Sequence, residues 1–157
     1  MLADGRLRTI NELKPGDLVR SGPRLHERAT VDQVFEHESD QCREVRIIRP
    51  TDHSITGNVV TTDEHLFWVD GKGWTIAYKL QSGDWLLDSE ARRVRVVSNQ
   101  RLPGSRQVHT IKLRGDVAFY AEGVLVHDLC GGISLPQAAA HDSPQGIEIF
   151  TRIQDAK

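Results

Sequence analysis

The 157-residue sequence has little of what small stapled domains or cofactor proteins rely on. It holds 2 Cys, 1 Met and 6% aromatic residues. Cys42 and Cys130 are too few for a disulfide scaffold and cannot form a cysteine-rich zinc site. No apolar run approaches the roughly 20 residues that span a bilayer, and no charged stretch precedes an apolar one at the start. A membrane span and a secretory signal are therefore not expected in the chain as given. No G-x-x-x-x-G-K-S/T, G-x-G-x-x-G or H-E-x-x-H occurs. The histidines at 26, 37, 53, 65, 109, 127 and 141 show no metal-ligand spacing, so neither metal nor cofactor is expected. Charge of one sign is lacking too: 20 basic against 22 acidic residues give a net charge of -2. This argues against nucleic acid as a partner. Fifteen of the basic residues are Arg, and the cluster Arg92, Arg93 and Arg95 reads as a solvated strand face. The sparse cysteine fits a cytoplasmic origin without fixing the compartment.

What is present is enough for one folded domain. Residues of the A/V/I/L/M/F/W/Y/C set make up 38%. Counting glycine in place of tyrosine gives about 45%, the globular norm. A chain of this length buries roughly 70% of its surface. The hydrophobic period is that of strands. Short β-type runs occur at Thr30–Phe35, Val45–Ile48, Asn58–Thr61, Leu66–Val69, Trp85–Leu87, Val94–Val97, Phe119–Ala121 and Val124–Val126. Val108–Leu113 alternates, with Val108, Thr110 and Lys112 on one face and His109, Ile111 and Leu113 on the other. Turn signals such as Pro15-Gly16-Asp17, Asp70-Gly71, Ser82-Gly83-Asp84 and Pro103-Gly104 separate them. Only Thr9–Lys14 and Thr75–Gln81 read as short helical turns. The fold class is all-β.

Those two turns share one pattern. Thr9-Ile10 runs through Leu13 and Gly16-Asp17 to Val19. Thr75-Ile76 runs through Leu80 and Gly83-Asp84 to Leu86, one residue longer and about 66 positions on. In each, one helical turn drops a Leu into the core and Gly-Asp turns the chain into a strand. The physical reading is an internal duplication, two β-units packed about a pseudo-two-fold axis. The alternative is chance recurrence of a common device. Residues 129–157 differ: Gly131-Gly132, Pro136, Ala138-Ala139-Ala140 and Ser143-Pro144 read as a linker, and Ile147, Ile149, Phe150 and Ile153 form a small apolar cluster. The expected division is a β domain over 1–128 and a C-terminal extension over 129–157.

Three places could carry chemistry. Thr62 and His65 form a T-x-x-H pair between two β-runs. In a tight turn, residues three apart can address one spot, a hydroxyl orienting an amide while an imidazole protonates a leaving nitrogen. Alternatively, His65 is a solvated turn residue. His127-Asp128 ends the apolar run Val124–Val126 and is either functional or a plain ion pair. Cys130, between Leu129 and two glycines, is the third. Cys42 reads as a small core residue.

In order and spacing, these pieces resemble the Hint domains of hedgehog proteins, inteins, bacterial intein-like domains and pre-toxin modules. Leu2-Ala3-Asp4-Gly5 with Arg8-Thr9-Ile10, Leu13, Gly16-Asp17 and Val19 is similar to the family's opening. Thr62-Asp63-Glu64-His65-Leu66-Phe67-Trp68-Val69, followed by Gly73-Trp74, Ala77, Leu80 and Gly83-Asp84, is similar to its T-x-x-H block. Val108–Leu113 with Phe119-Tyr120-Ala121 resembles the penultimate block. Gly123-Val124-Leu125-Val126-His127-Asp128 resembles the closing G-V-L-V-H-N. The resemblance covers about residues 1–128 and implies a pseudo-symmetric all-β horseshoe whose chemistry is attack of a chain on itself. An N-terminal Cys or Ser converts the preceding amide into a thioester or an ester. The T-x-x-H pair activates that amide, and a terminal Asn, helped by the preceding His, cyclises to free the C-terminal side. It assigns amide activation to Thr62 and His65, the helper role to His127, and the position of the usual Asn to Asp128. The implied partners are the flanking segments of the same polypeptide.

The departures shape the functional expectation. The chain begins at Met1-Leu2, where the family's nucleophile lies a few residues further upstream. Thr110 stands where inteins often place Asp, and Val117 and Ala118 where a His is usual. Leu129, not Cys, Ser or Thr, follows Asp128, and a carboxylate is a poorer cyclising group than an amide. The expectation is an intein-like autoprocessing domain, inactive in splicing as given, with at most slow cleavage after Asp128. The alternative is a degenerate scaffold that tethers or presents its tail. A missing first strand would leave an unpaired edge, open to self-association or to capping by the tail.

Overall fold

The structure, a computed structural model, describes residues 1–22, 27–50, 55–115, 118–128 and 151–153. Among these lie β1 (Leu18–Arg20), β2 (Arg28–Ser39), β3 (Cys42–Ile48), β4 (Ile55–Thr62), β5 (Leu66–Val69) and β6 (Gly73–Ile76). After them come β7 (Trp85–Leu87), β8 (Arg93–Arg101), β9 (Arg106–Arg114), β10 (Ala118–Ala121), β11 (Val124–His127) and β12 (Thr151–Ile153). The helical content is two single 3-10 turns, Ile10–Glu12 and Ala77–Lys79, inside the two segments the sequence marks. No helix among the described residues is long and apolar enough to cross a membrane.

The strands form one sheet in the order β1-β2-β9-β12-β4-β3-β8-β7-β5-β11-β10, with β6 beside β5. A bridge between Ser21 and Phe119 joins β1's end to β10, so the sheet curls back on itself. Its first eight places read the same from either side: β1 answers β7, β2 answers β8, β9 answers β3, and β12 answers β4. The two Gly-Asp units repeat bond for bond. Gly16 N–H donates to Val31 O at 2.8 Å, and Gly83 N–H to Val96 O at 2.8 Å. Val31 N–H returns to Asp17 O at 2.8 Å, and Val96 N–H to Asp84 O at 2.9 Å. Each Asp carboxylate then accepts the backbone N–H three residues back, Lys14 at 2.9 Å and Gln81 at 3.0 Å. Glycine is required at 16 and 83 because φ there is +95° and +100°, a region L-residues avoid. The duplication is thus a repeated hydrogen-bond circuit within a sheet whose strand order is itself two-fold related.

The core is filled from both units: Ile10, Val19, Val31, Val45, Ile47, Val59, Phe67, Leu80, Leu86, Val94, Val96, Ile111 and Val126 are buried together. Each such side chain contributes about 1.5–3 kcal/mol on leaving water. Cys42 is buried, as a small core residue should be. Arg92 pairs with the buried carboxylate of Asp88 at 2.9 Å, and Arg93 pairs with Asp70 at 2.5 Å at the surface.

Two readings need correction. Thr75-Ile76 belongs to a strand, because Gly73–Ile76 pairs with Leu66–Val69 and the helical turn begins only at Ala77. The alternation of Val108–Leu113 breaks down over Val108–Ile111, where all four residues are buried, because β9 lies deep in the molecule and is covered on both faces. Apart from Thr151–Ile153, the expected linker and extension over 129–157, with the thiol of Cys130, lie outside the described residues, as does Val117.

Candidate functional site

The end of β4, the start of β5, the middle of β9 and the end of β11 meet in one buried region. Thr62 is the last residue of β4 and pairs with Cys42. A two-residue turn returns the chain, closed by His65 N–H donating to Thr62 O at 3.2 Å. The turn is braced from outside the site. Ala77 N–H donates to His65 O at 2.7 Å and Tyr78 N–H to Asp63 O at 2.9 Å, so the second 3-10 turn clamps the T-x-x-H segment. Asp63 takes a 2.8 Å ion pair from Arg43, which also donates to Asn99 Oδ1 at 3.0 Å. Asn99 Nδ2 donates to Ala77 O at 2.7 Å and Leu80 O at 2.8 Å. One chain of polar contacts therefore ties the turn to its clamp. Arg43 and Asn99 carry this bracing, and the sequence reading singled out neither.

His65 is completely buried, not the solvated turn residue that was the alternative. Its ring meets Phe67 edge-on at 5.3 Å. Burial pushes its pKa well below 6.5, and the nearby charge of His127 pushes the same way. At neutral pH His65 is an uncharged imidazole.

His127 reaches His65 because β11 pairs with β5 through Val126 and Phe67. Both His127 and Asp128 are buried. The ring of His127 meets Trp74 at 5.0 Å, and Trp74 meets Trp68 at 5.3 Å, each pair close to perpendicular. His127 Nδ1 lies 3.2 Å from the backbone oxygen of Asp128 and 3.3 Å from its Oδ1. Both oxygens are acceptors, so Nδ1 carries the hydrogen. The other carboxylate oxygen, Oδ2, accepts Leu113 N–H of β9 at 3.0 Å.

The fourth wall comes from β9 and β12. Thr151 pairs with Thr61 on one side and His109 on the other, both antiparallel. Thr62 and Thr110 are the next residues along these two strands after Thr61 and His109. Thr110 and Ala118 are both buried. His65 N–H donates to Thr62 O, His65 feels the charge of His127, and His127 Nδ1 adjoins Asp128, so neighbouring members of the four are linked pairwise. Among the described residues no cluster of three or more His, Cys, Asp or Glu could hold a metal.

No protein-family profile matches the chain, and no curated protein does. Solved structures do. The bacterial intein-like domain from Clostridium thermocellum is 27% identical, with 82% of this chain and 92% of that one covered at a TM-score of 0.69. The gp41-1 intein is 24% identical, covering 76% and 85% at a TM-score of 0.61. A DnaB intein from Synechocystis sp. PCC 6803 is 21% identical, covering 81% and 91% at 0.59. The last two speak to fold alone. With the repeated Gly-Asp circuit and the T-x-x-H turn, these likenesses define the class: the chain has a Hint/intein-like fold.

Proposed function

We propose that this domain rearranges and cleaves peptide bonds of its own polypeptide. Thr62 and His65 form the amide-activating pair for an upstream junction. His127 and Asp128 serve the junction that follows residue 128. The observation that carries the reading is the burial of both imidazoles in one region, with His127 Nδ1 on the backbone oxygen of Asp128. A neutral, desolvated imidazole can take and return a proton at a carbonyl or a leaving nitrogen, and a solvated surface histidine would need none of this enclosure. Splicing is not part of the proposal, because Leu129 offers no nucleophile. The partners are the flanking segments of the same chain.

The test is intact mass. The 17.6 kDa chain is incubated for days with and without a small thiol, alongside Asp128→Asn and Asp128→Asn/His127→Ala. Loss of the segment from Leu129 onward supports the reading. Asn at 128 should raise the yield and the second substitution should abolish the gain. Chains that all stay whole would overturn it. A second reading, a scaffold that holds its tail, is favoured by one observation: β12 is built into the sheet between β9 and β4. It predicts an intact chain even after an upstream segment bearing Cys is restored.

A further inference from the structure

The two Gly-Asp units are alike in backbone and differ in one polar circuit. Their 3-10 turns enter and leave at nearly the same angles: Thr9 has φ -67° and ψ 148° against -68° and 144° at Ile76, and Leu13 has -69° and 146° against -63° and 136° at Leu80. Each turn closes through the N–H of its Leu, Leu13 on Ile10 O at 3.2 Å and Leu80 on Ala77 O at 3.1 Å. The long strands beside them correspond as well. Val31 and Val96 hold the same bonds to the Gly-Asp turns, and one extra residue then enters each strand, Asp32 in β2 and Val97 in β8. Counting on from these bulges makes Val34 and Asn99 equivalent, Val34 opposite Ile111 and Asn99 opposite Val45. Val34 packs against the core. Asn99 directs both amide hydrogens at the turn, 2.7 Å to Ala77 O and 2.8 Å to Leu80 O, and its oxygen accepts from Arg43 Nη1 at 3.0 Å.

The first unit builds the same turn with a valine, which has no hydrogen to offer Ile10 O or Leu13 O. The amide is therefore not a requirement of the turn. What the second unit carries and the first lacks is the T-x-x-H turn, hung on the 3-10 turn by Ala77 N–H to His65 O at 2.7 Å and Tyr78 N–H to Asp63 O at 2.9 Å. Arg43 closes the circuit at the carboxylate of Asp63, 2.8 Å away. We infer that Asn99 is a positioning residue for His65: with Arg43 it locks the Ala77–Lys79 turn, and through that turn the T-x-x-H segment, onto β8. The inference rests on the self-cleavage proposed above for its consequence, while the contacts that carry it stand apart from the reaction. β8 is a firm anchor because it lies between β3 and β7 and pairs with both. One planar amide gripping two carbonyls fixes the turn in rotation as well as in distance. Preorganised geometry of this kind is what a group acting on a single peptide bond depends on.

The experiment reads the turn directly. Amide exchange and the imidazole titration of His65 are followed by NMR in the full chain, in Asn99→Val, which copies the first unit, and in Asn99→Asp, which keeps the shape but cannot donate to two carbonyls. In both variants the Ala77 and Tyr78 amides should exchange about tenfold faster, while the Leu13 amide of the first unit keeps its rate. The His65 titration should rise towards the ordinary 6.5 as water reaches the ring. In the chain extended upstream by a Cys-bearing segment, both substitutions should slow thiol-dependent cleavage about tenfold. Unchanged exchange at Ala77 and Tyr78, or an unmoved His65 titration, overturns the inference. So does an unfolded Asn99→Val chain, which would make the amide a requirement of the fold. Should exchange and titration shift while cleavage keeps its rate, the positioning role falls and self-cleavage stands. Should the extended parent never cleave, self-cleavage falls, and exchange and titration alone decide whether Asn99 places His65.

Discussion

The indole of Trp74 stands edge-on to the imidazole of His127, with ring centroids 5.0 Å apart and planes at 74°. Trp74 belongs to β6 and His127 to β11, so β5, which pairs with both, sets their meeting. Under the proposed self-cleavage, this contact makes Trp74 a positioning residue for His127. An aromatic pair of this geometry contributes about 0.5–1.5 kcal/mol beyond its area. Trp74→Ala should therefore lower stability in urea by at least that much and slow appearance of the fragment ending at residue 128. Trp74→Phe should recover most of both. Equal cleavage rates for all three chains would remove Trp74 from the account.

The buried imidazole of His65 predicts an acid limb in stability. Its pKa in the folded chain lies well below the 6.5 it regains on unfolding. Below that pH the unfolded chain takes up a proton that the folded chain refuses. The stabilisation is complete above pH 6.5 and is lost as pH falls, at up to about 1.4 kcal/mol per unit. Urea titrations across the acid range should show a shallower loss in His65→Gln than in the parent. Identical slopes would contradict the burial.

The repeated turns should respond alike. Gly16 and Gly83 have φ of +95° and +100°, and a Cβ at either meets nothing within 4 Å. Alanine there adds backbone strain without a clash, costing about 1–2 kcal/mol. Gly16→Ala and Gly83→Ala should lose this amount in chemical denaturation, each within a few tenths of the other. A neutral result at one site and a loss at the other would break the equivalence of the two units.

Much of this was legible because it is local. The Gly-Asp circuit closes within a few residues, and the pattern from Thr9 to Val19 returns from Thr75 to Leu86. The short β-type runs, such as Val94–Val97, fall inside the strands found. What was not legible depends on distant partners. Gly73–Ile76 is a strand only because β5 lies beside it. Val108–Ile111 is buried throughout because β9 is covered on both faces. The three residues of β12 gain their place from pairing with two strands at once. Within the site, the T-x-x-H spacing stood out, but spacing alone could not say that His65 is enclosed. The grip of Leu113 on Asp128 spans 15 positions and leaves no mark in either segment.

The central claim is that Thr62 and His65 bear on one peptide junction. The measurement that reaches it most directly uses the chain extended upstream by a Cys-bearing segment, with intact mass followed over time with and without a small thiol. Cleavage on the N-terminal side of that Cys, dependent on thiol and lost in Thr62→Ala and His65→Ala, is the predicted result. Thiol-dependent cleavage that survives both substitutions, or its complete absence from the extended parent chain, would contradict the account.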